Sequence, residues 1–151
     1  MVLAGGRAWM IDEYLIRFYP DRLPTVSLPL QKKKVYLHSH CYQKSRAPAA
    51  DGLPTGTGAT AALLRSAGYP GEVLDDGCCG MAGAFGYEAE HYEVSMNVGG
   101  LVLFPTLKAA QQADNDSLVV AAPGVSCRAQ IEDGTGLVPC HPIQLISNLI
   151  K

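Results

Sequence analysis

Short apolar runs alternate with helical patterns from residue 34 onward, and this alternation is the feature that most constrains the fold. The runs have the length and composition of buried strands, and they lie at 35–37, 72–74, 117–122 and 137–140. Strands that are separated by helices form parallel pairs, because a parallel neighbour needs a crossover connection. The sequence therefore predicts an α/β fold with a small, mostly parallel sheet of about four strands flanked by helices.

A helix and a connector precede this sheet. The apolar residues of the first segment repeat at helical spacing: Ala8, Ile11, Leu15 and Phe18. Pro20 cannot continue that helix, and the prolines of residues 20–31 predict an extended connector. Because 151 residues suit one domain, we expect an N-terminal helix and connector over residues 1–33 and a single domain over residues 34–151.

Composition and charge exclude several classes of protein. The net charge is -2, and the lysine run 32–34 is the only basic cluster, so no nucleic-acid partner is expected. No apolar stretch is long enough for a transmembrane segment, and charged residues interrupt the first twenty positions, where a signal peptide needs an apolar run. We therefore expect a cytoplasmic protein, held at a membrane only through partners. Its five cysteines then suit metal ligands better than disulfides.

Cysteines follow the predicted strands. In chain order they are Cys41 after the first strand, Cys78 and Cys79 after the second, Cys127 after the third, and Cys140 with His141 after the fourth. The carboxyl ends of parallel strands meet at one edge of a sheet. Thiolate selects iron-sulfur clusters and zinc, and Gly80 and Gly83 let the backbone approach such a cofactor closely. The alternative is that these cysteines are small buried hydrophobic residues.

Histidines near the same edge are further candidates. His38 and His40 both follow the first strand, and His141 follows the fourth. Each is a candidate for metal ligation or proton transfer, or for a hydrogen-bonded structural role. Thiol-disulfide exchange through Cys78 and Cys79 is less attractive, because a vicinal disulfide is strained and the pair lacks Cys-X-X-Cys spacing.

Three segments resemble one known family. They are His-Ser-His-Cys-Tyr-Gln-Lys at 38–44, Gly-Cys-Cys-Gly-Met-Ala-Gly-Ala-Phe-Gly-Tyr-Glu at 77–88, and Ser-Cys-Arg-Ala-Gln-Ile at 126–131. Together they resemble the cysteine-rich CCG domain, above all the C-terminal module of FAD-linked oxidases with iron-sulfur domains. The wider family includes iron-sulfur subunits of glycolate oxidase and anaerobic glycerol-3-phosphate dehydrogenase, and heterodisulfide reductase. One departure is Gly124, which stands where the family pattern has the first cysteine of a final Cys-X-X-Cys.

The resemblance implies a ligand set and a function. Its ligands are Cys41, Cys78, Cys79 and Cys127, with an iron-sulfur cluster of the 4Fe-4S kind as cofactor and zinc as the alternative. The module would take electrons from an FAD on a partner domain or subunit that oxidises a 2-hydroxy acid, with a ferredoxin-like iron-sulfur domain as a second partner. No flavin-binding pattern is visible, so we expect a fragment or subunit that is not catalytically complete alone. A structural zinc-binding interaction module is the rival function.

Overall fold

The central element of the fold is a small parallel sheet. The computed structural model describes residues 8–25, 33–114 and 117–150. The three strands within them are β1 (Lys34–Leu37), β2 (Gly71–Val73) and β3 (Leu118–Ala121). Their order is β2-β1-β3, and both pairs are parallel, with Val35 opposite Gly71 on one side and Val119 on the other. The predicted α/β class and the parallel pairing are confirmed.

The predicted fourth strand does not form in the part of the chain that the structure describes. Cys140 makes a single parallel bridge to Ala121, in which its amide donates to the carbonyl of Val120 at 2.9 Å. Pro139 precedes it and has no N-H to add to a ladder, and Pro142 begins a helix two residues later. Cys140 therefore touches the edge of β3 without extending the sheet.

Seven α-helices surround the sheet in the described residues. They are α1 (Ile11–Phe18), α2 (Cys41–Lys44), α3 (Gly56–Ser66), α4 (Tyr92–Leu101), α5 (Leu103–Asp114), α6 (Val125–Thr135) and α7 (Pro142–Ser147). Pro20–Arg22, predicted to be extended, forms a 3₁₀ turn, and the later connector residues 26–32 lie outside the described ranges. No described helix combines the length and apolar character needed to cross a bilayer.

Side chains of β1 alternate between two apolar cores. Val35 and Leu37 pack with residues of α3 and α7, whereas Tyr36 packs with residues of α5 and α6. Cys79 and Cys127 belong to the second core, so two of the five thiols are anchored by the packing that covers one face of the sheet.

Small residues form the buried side of α4. The sequence groups Val94, Val98 and Leu101 on one helical face, but Leu101 is 77% exposed and Val94 is 53% exposed, whereas Ser95 and Gly99 are buried. A Cβ at Gly99 would overlap the ring of Phe104 on α5. The close approach of that ring selects the small residues of α4 for the interface and leaves the larger apolar ones outside.

The N-terminal helix buries acidic side chains as well as apolar ones, since Leu15 and Ile16 pack against the core. The predicted helix is confirmed, but its outer apolar residues Ile11 and Phe18 are 51% and 55% exposed, whereas Asp12 and Glu13 are 5% and 0% exposed. Buried carboxylates are tolerated only with hydrogen-bonding partners, and here those partners come from α2, the residues just after it, and α3.

Candidate metal centre

Four cysteines meet in one pocket at the carboxyl end of the sheet. Cys41 is the first residue of α2, Cys78 and Cys79 lie in the loop after β2, and Cys127 lies in the first turn of α6. All four line a pocket of about 340 Å³. The predicted convergence of these side chains is therefore present in the structure, and their role as ligands stays a prediction.

The two adjacent cysteines face the same pocket because the chain turns sharply after them. Gly80 has φ +96°, in the left-handed region that glycine adopts without strain. Its amide donates to the Sγ atom of Cys78 at 3.3 Å, and the amide of Met81 hydrogen-bonds the sulfur of Cys79. The amide aimed at Cys79 helps to lower the pKa of that thiol.

The glycines predicted to approach a cofactor play different parts. A Cβ at Gly80 would overlap the carbonyl oxygen of Ser95 on α4, so this glycine is required by packing against protein. Gly83 lines the thiol pocket, has φ +75°, and has no atom within 4 Å of the position that a Cβ would take. Of the two, only Gly83 borders the space in which a cofactor would sit.

The four thiols divide into a buried pair and an exposed pair. Cys79 and Cys127 are 3% and 1% exposed and their Sγ atoms are 3.5 Å apart, whereas Cys41 and Cys78 are exposed to solvent. The hydrogen bond with Cys127 lowers the pKa of Cys79 to about 4 in spite of its burial, and His38 and Met81 add to that effect. The same bond, together with burial, raises the pKa of Cys127 above its ordinary value.

His38 stands directly behind the buried thiols. It is 2% exposed, and one ligand atom each of His38, Cys79 and Cys127 lie within 4.8 Å of one another. Its Nδ1 hydrogen-bonds a carboxylate oxygen of Asp76, whose other oxygen accepts from Lys44 Nζ at 2.7 Å. Burial alone would lower the pKa of His38, but the bonds to Asp76 and Cys79 outweigh it and raise that pKa.

Sequence reasoning missed Asp76 and Lys44. A local signal existed for Asp76, because Asp75 and Asp76 directly precede the Gly-Cys-Cys segment in a chain with few charges. The side chain of Asp76 is 0% exposed, and a buried acid beside a cysteine motif points to a charge partner. Lys44 carried no such signal, since it reads as an ordinary surface residue of α2.

The other histidine candidates are placed differently. His40 lines the thiol pocket, and its Nδ1 accepts the amide of Tyr42 at 3.2 Å, which caps α2. His141 caps α7 by accepting the amide of Ile143 at 3.1 Å, and it lines a separate cavity of about 160 Å³. Cys140 is not among the residues that line the thiol pocket, and its Sγ contacts the carbonyl of Val120 at 3.6 Å.

Gly124 occupies a tight position at the start of α6. A Cβ there would overlap the ring of His40 and lie 2.9 Å from the Sγ atom of Cys127. The ring of His40 thus fills the space that a side chain at position 124 would need. A cysteine at this position, as in the family pattern, would require His40 to move.

A buried polar network fastens the helix that carries Cys41. Glu13 on α1 accepts from Arg46 at 2.9 and 2.8 Å and from the amide of Gly56 at 3.0 Å. Asp12 accepts a hydrogen bond from Gln43 of α2 at 3.1 Å. Thr60 of α3 accepts a hydrogen bond from Gln43 and donates one to Asp12. The position of α2, and therefore of Cys41, depends on carboxylates more than 25 residues earlier in the chain.

The donor set fits a soft metal. Two thiolates on one tetrahedral metal ion lie about 3.8 Å apart, because each metal-sulfur bond is about 2.3 Å long. The 3.5 Å between the Sγ atoms of Cys79 and Cys127 is close to that value and far beyond a disulfide bond. Iron in a sulfur cluster and zinc both accept such thiolates.

Comparison with known proteins finds similar segments in two kinds of dehydrogenase. D-2-hydroxyglutarate dehydrogenases from Escherichia coli (strain K12) and Pantoea ananatis (strain AJ13355) are each 32% identical, over 77% and 76% of the chain. One subunit of the anaerobic glycerol-3-phosphate dehydrogenase from Escherichia coli (strain K12) is 32% identical over 85% of the chain. The chain spans 10% of the length of the first two relatives and 28% of the third.

No family model and no solved structure matches the chain. The similarity to the glycerol-3-phosphate dehydrogenase agrees with the resemblance found in the sequence, which included a subunit of that enzyme. Because each of these matches covers only a small part of the relative, the chain corresponds to a segment of these much longer proteins.

Proposed function

We propose that the chain is an iron-sulfur binding, electron-transfer module of an FAD-linked 2-hydroxyacid dehydrogenase, as a segment or subunit of a larger enzyme. The observation that carries the proposal is the meeting of Cys41, Cys78, Cys79 and Cys127 in one pocket, delivered by three separate strand ends. In this proposal residues 34–151 form the cysteine-rich domain, and α1 braces the helix that begins at Cys41.

The chain's own groups are suited to hold an anionic cofactor. Four thiolates would bind it, and when bound it supplies one-electron transfer. Amides of Gly80 and Met81 point at cysteine sulfurs, and the amide of Met81 favours negative charge on Cys79. Burial of Cys79 and Cys127 shields one side from water, whereas the exposed Cys41 and Cys78 leave the other side open to a redox partner.

The names and lengths of the relatives support a proposal about the substrate class and the partners. Similar segments occur in proteins named for the dehydrogenation of D-2-hydroxyglutarate and of glycerol 3-phosphate, and each relative is several times longer than this chain. We propose that an FAD-binding domain or subunit oxidises a 2-hydroxy acid of the 2-hydroxyglutarate class, and that a ferredoxin-like iron-sulfur domain carries the electrons onward.

A structural zinc site is the second candidate, and one observation favours it. The ligand atoms of His38, Cys79 and Cys127 lie within 4.8 Å of one another, as donors to a single tetrahedral ion do. Three thiolates with one histidine, or four thiolates, both satisfy zinc. Zinc carries no electrons, so the two candidates differ in a property that is easily measured.

Anaerobic reconstitution with ferrous iron and sulfide tests the proposal. We expect a brown protein with broad visible absorption and bound iron and sulfide, and strongly reduced iron in Cys41→Ser, Cys78→Ser and Cys127→Ser, since a hydroxyl does not replace a thiolate at neutral pH. A colourless protein that retains zinc would favour the structural site. Unchanged iron and zinc in all three variants would overturn the shared site.

A second measurement tests whether substrate oxidation takes place on a partner and not on this chain. Purified chain without a flavoprotein should reduce no dye with D-lactate, glycolate or D-2-hydroxyglutarate, because the oxidation is assigned to FAD on a partner. Dye reduction under those conditions would place the oxidation in this chain and would overturn the assignment to a partner.

A further inference from the structure

A histidine completes the buried half of the thiol pocket. His38, Cys79 and Cys127 are 2%, 3% and 1% exposed, so their donor atoms form a compact and largely buried group. In the described residues, no other group of three histidine, cysteine or acidic side chains comes as close together. The group is set by β1, by the loop after β2 and by α6, all of which are packed against the same core.

The ring of His38 is held by its other nitrogen. Nδ1 hydrogen-bonds Asp76, and the Asp76 side chain is 0% exposed. Lys44 Nζ donates to Asp76 Oδ1 at 2.7 Å and to the carbonyls of residues 76 and 77 at 2.9 and 3.1 Å, which fixes the carboxylate in turn. With Nδ1 engaged, Nε2 is the nitrogen left to face Cys79. Metal-binding histidines are commonly oriented in this way, by a carboxylate on the nitrogen that does not bind the metal.

We propose that His38 is a metal ligand: its Nε2 and the sulfurs of Cys79 and Cys127 bind one and the same metal atom, and Asp76 is the positioning residue that aims the ring. The inference rests on the metal binding of the proposed function and concerns the site when it holds a single metal ion, because each iron of a four-iron cluster with four cysteine ligands takes one protein ligand. One of the exposed thiols, Cys41 or Cys78, supplies the fourth donor of a tetrahedral ion.

The geometry favours His38 over its neighbour His40. The Nδ1 atom of His40 accepts the amide of Tyr42, and its ring stacks on Tyr42 with centroids 5.1 Å apart. His40 borders the pocket, but no carboxylate of the described residues hydrogen-bonds its ring, and it does not belong to the compact donor group. If His38 had only a structural role, it would make the hydrogen bonds to Asp76 and Cys79 but would not contact a bound metal. An experiment that reports the ligands of a bound metal therefore separates the two roles.

Cobalt(II) titration of the whole, reduced chain under anaerobic conditions reads the ligands directly. Nitrogen is a stronger-field ligand than thiolate, so loss of the histidine shifts the visible bands of tetrahedral cobalt to longer wavelength. The variants are His38→Gln, Asp76→Asn and, as a matched histidine control, His91→Gln. His91 stacks on Phe85 at 4.1 Å and pairs with Glu88, away from the thiols.

The proposal expects three results. His38→Gln shifts the bands and weakens cobalt binding by at least tenfold. Asp76→Asn keeps the bands but weakens binding by about 10- to 100-fold, as is common when the carboxylate behind a ligating histidine is lost. His91→Gln changes neither. Parent bands and parent affinity in His38→Gln would overturn the proposal, and so would a parent chain that binds no cobalt.

A second readout keeps the proposal testable if His38→Gln does not fold. In the His40→Gln chain with ¹⁵N-labelled histidine, pulsed electron paramagnetic resonance of the bound cobalt should detect a coupled histidine nitrogen, and absence of that coupling would overturn the proposal. The outcome is separable from the iron-sulfur function. Cobalt bound through histidine in a chain that takes up no iron and sulfide would sustain this inference while refuting the cluster.

Discussion

Replacing Gly80 by alanine tests how the Cys-Cys-Gly turn is built. Gly80 has φ +96°, and a Cβ at this position would overlap the carbonyl oxygen of Ser95 and lie 3.2 Å from Gln130 Nε2. Ser95 is 0% exposed, and its hydroxyl accepts from Gln130 at 2.9 Å, so neither neighbour moves freely. The methyl group can be accommodated only if the turn or α4 shifts.

Two costs add at Gly80 and only one applies at Gly83. A left-handed backbone costs an L-residue about 1 to 2 kcal/mol, and overpacking a filled site costs about 1 to 3 kcal/mol more. Gly83→Ala incurs the first cost alone, because its φ is +75° but no atom lies within 4 Å of the added Cβ. We therefore expect Gly80→Ala to lose about 2 to 5 kcal/mol and Gly83→Ala about 1 to 2 kcal/mol of unfolding free energy.

Urea unfolding of the two metal-free variants beside the parent measures the difference. A loss of about 2 to 5 kcal/mol is a large share of the roughly 5 to 15 kcal/mol that stabilises a typical domain, so the transition midpoints should separate clearly. Equal losses in Gly80→Ala and Gly83→Ala would refute the reasoning, because the contact with Ser95 would then have no energetic effect.

Two further predictions concern the thiol set and acid stability. Cys140→Ala should leave bound metal near the parent level, because Cys140 lies outside the thiol pocket, and should lower the unfolding free energy by about 1 kcal/mol through lost packing. Loss of bound metal in a metal assay of this variant would contradict the prediction. For Glu13, burial alone would raise the pKa, but hydrogen bonds from Arg46, Gly56 and Met10 hold that pKa below its ordinary 4.5. A depressed carboxyl pKa stabilises the fold above the unfolded pKa, and the contribution is lost as the pH falls through the folded value. The unfolding free energy of the metal-free parent should therefore fall more between about pH 6 and pH 3 than that of Glu13→Gln; parallel curves in urea titrations at each pH would count against the role of Glu13.

The order of apolar runs and helical segments along the sequence was enough to predict a parallel sheet and the convergence of the cysteines. Strand-length apolar runs separated by helices imply parallel pairing, and parallel strands point their carboxyl ends to one edge, so Cys41, Cys78, Cys79 and Cys127 had to approach one another. The strand count was less certain from sequence, because the run that ends at Cys140 has strand composition, yet Pro139 limits it to one bridge.

Tertiary contacts decided what periodicity does not encode. The pattern of α1 favours its apolar side for burial, but Glu13 is buried because Arg46 and Gly56 supply its hydrogen bonds from distant segments. His38 hydrogen-bonds Asp76, which lies 38 residues later in the chain. A sequence shows which side chains can form hydrogen bonds, but the choice among partners depends on how helices and loops pack. That packing alone placed His38 behind the buried thiols and directed His141 toward another cavity.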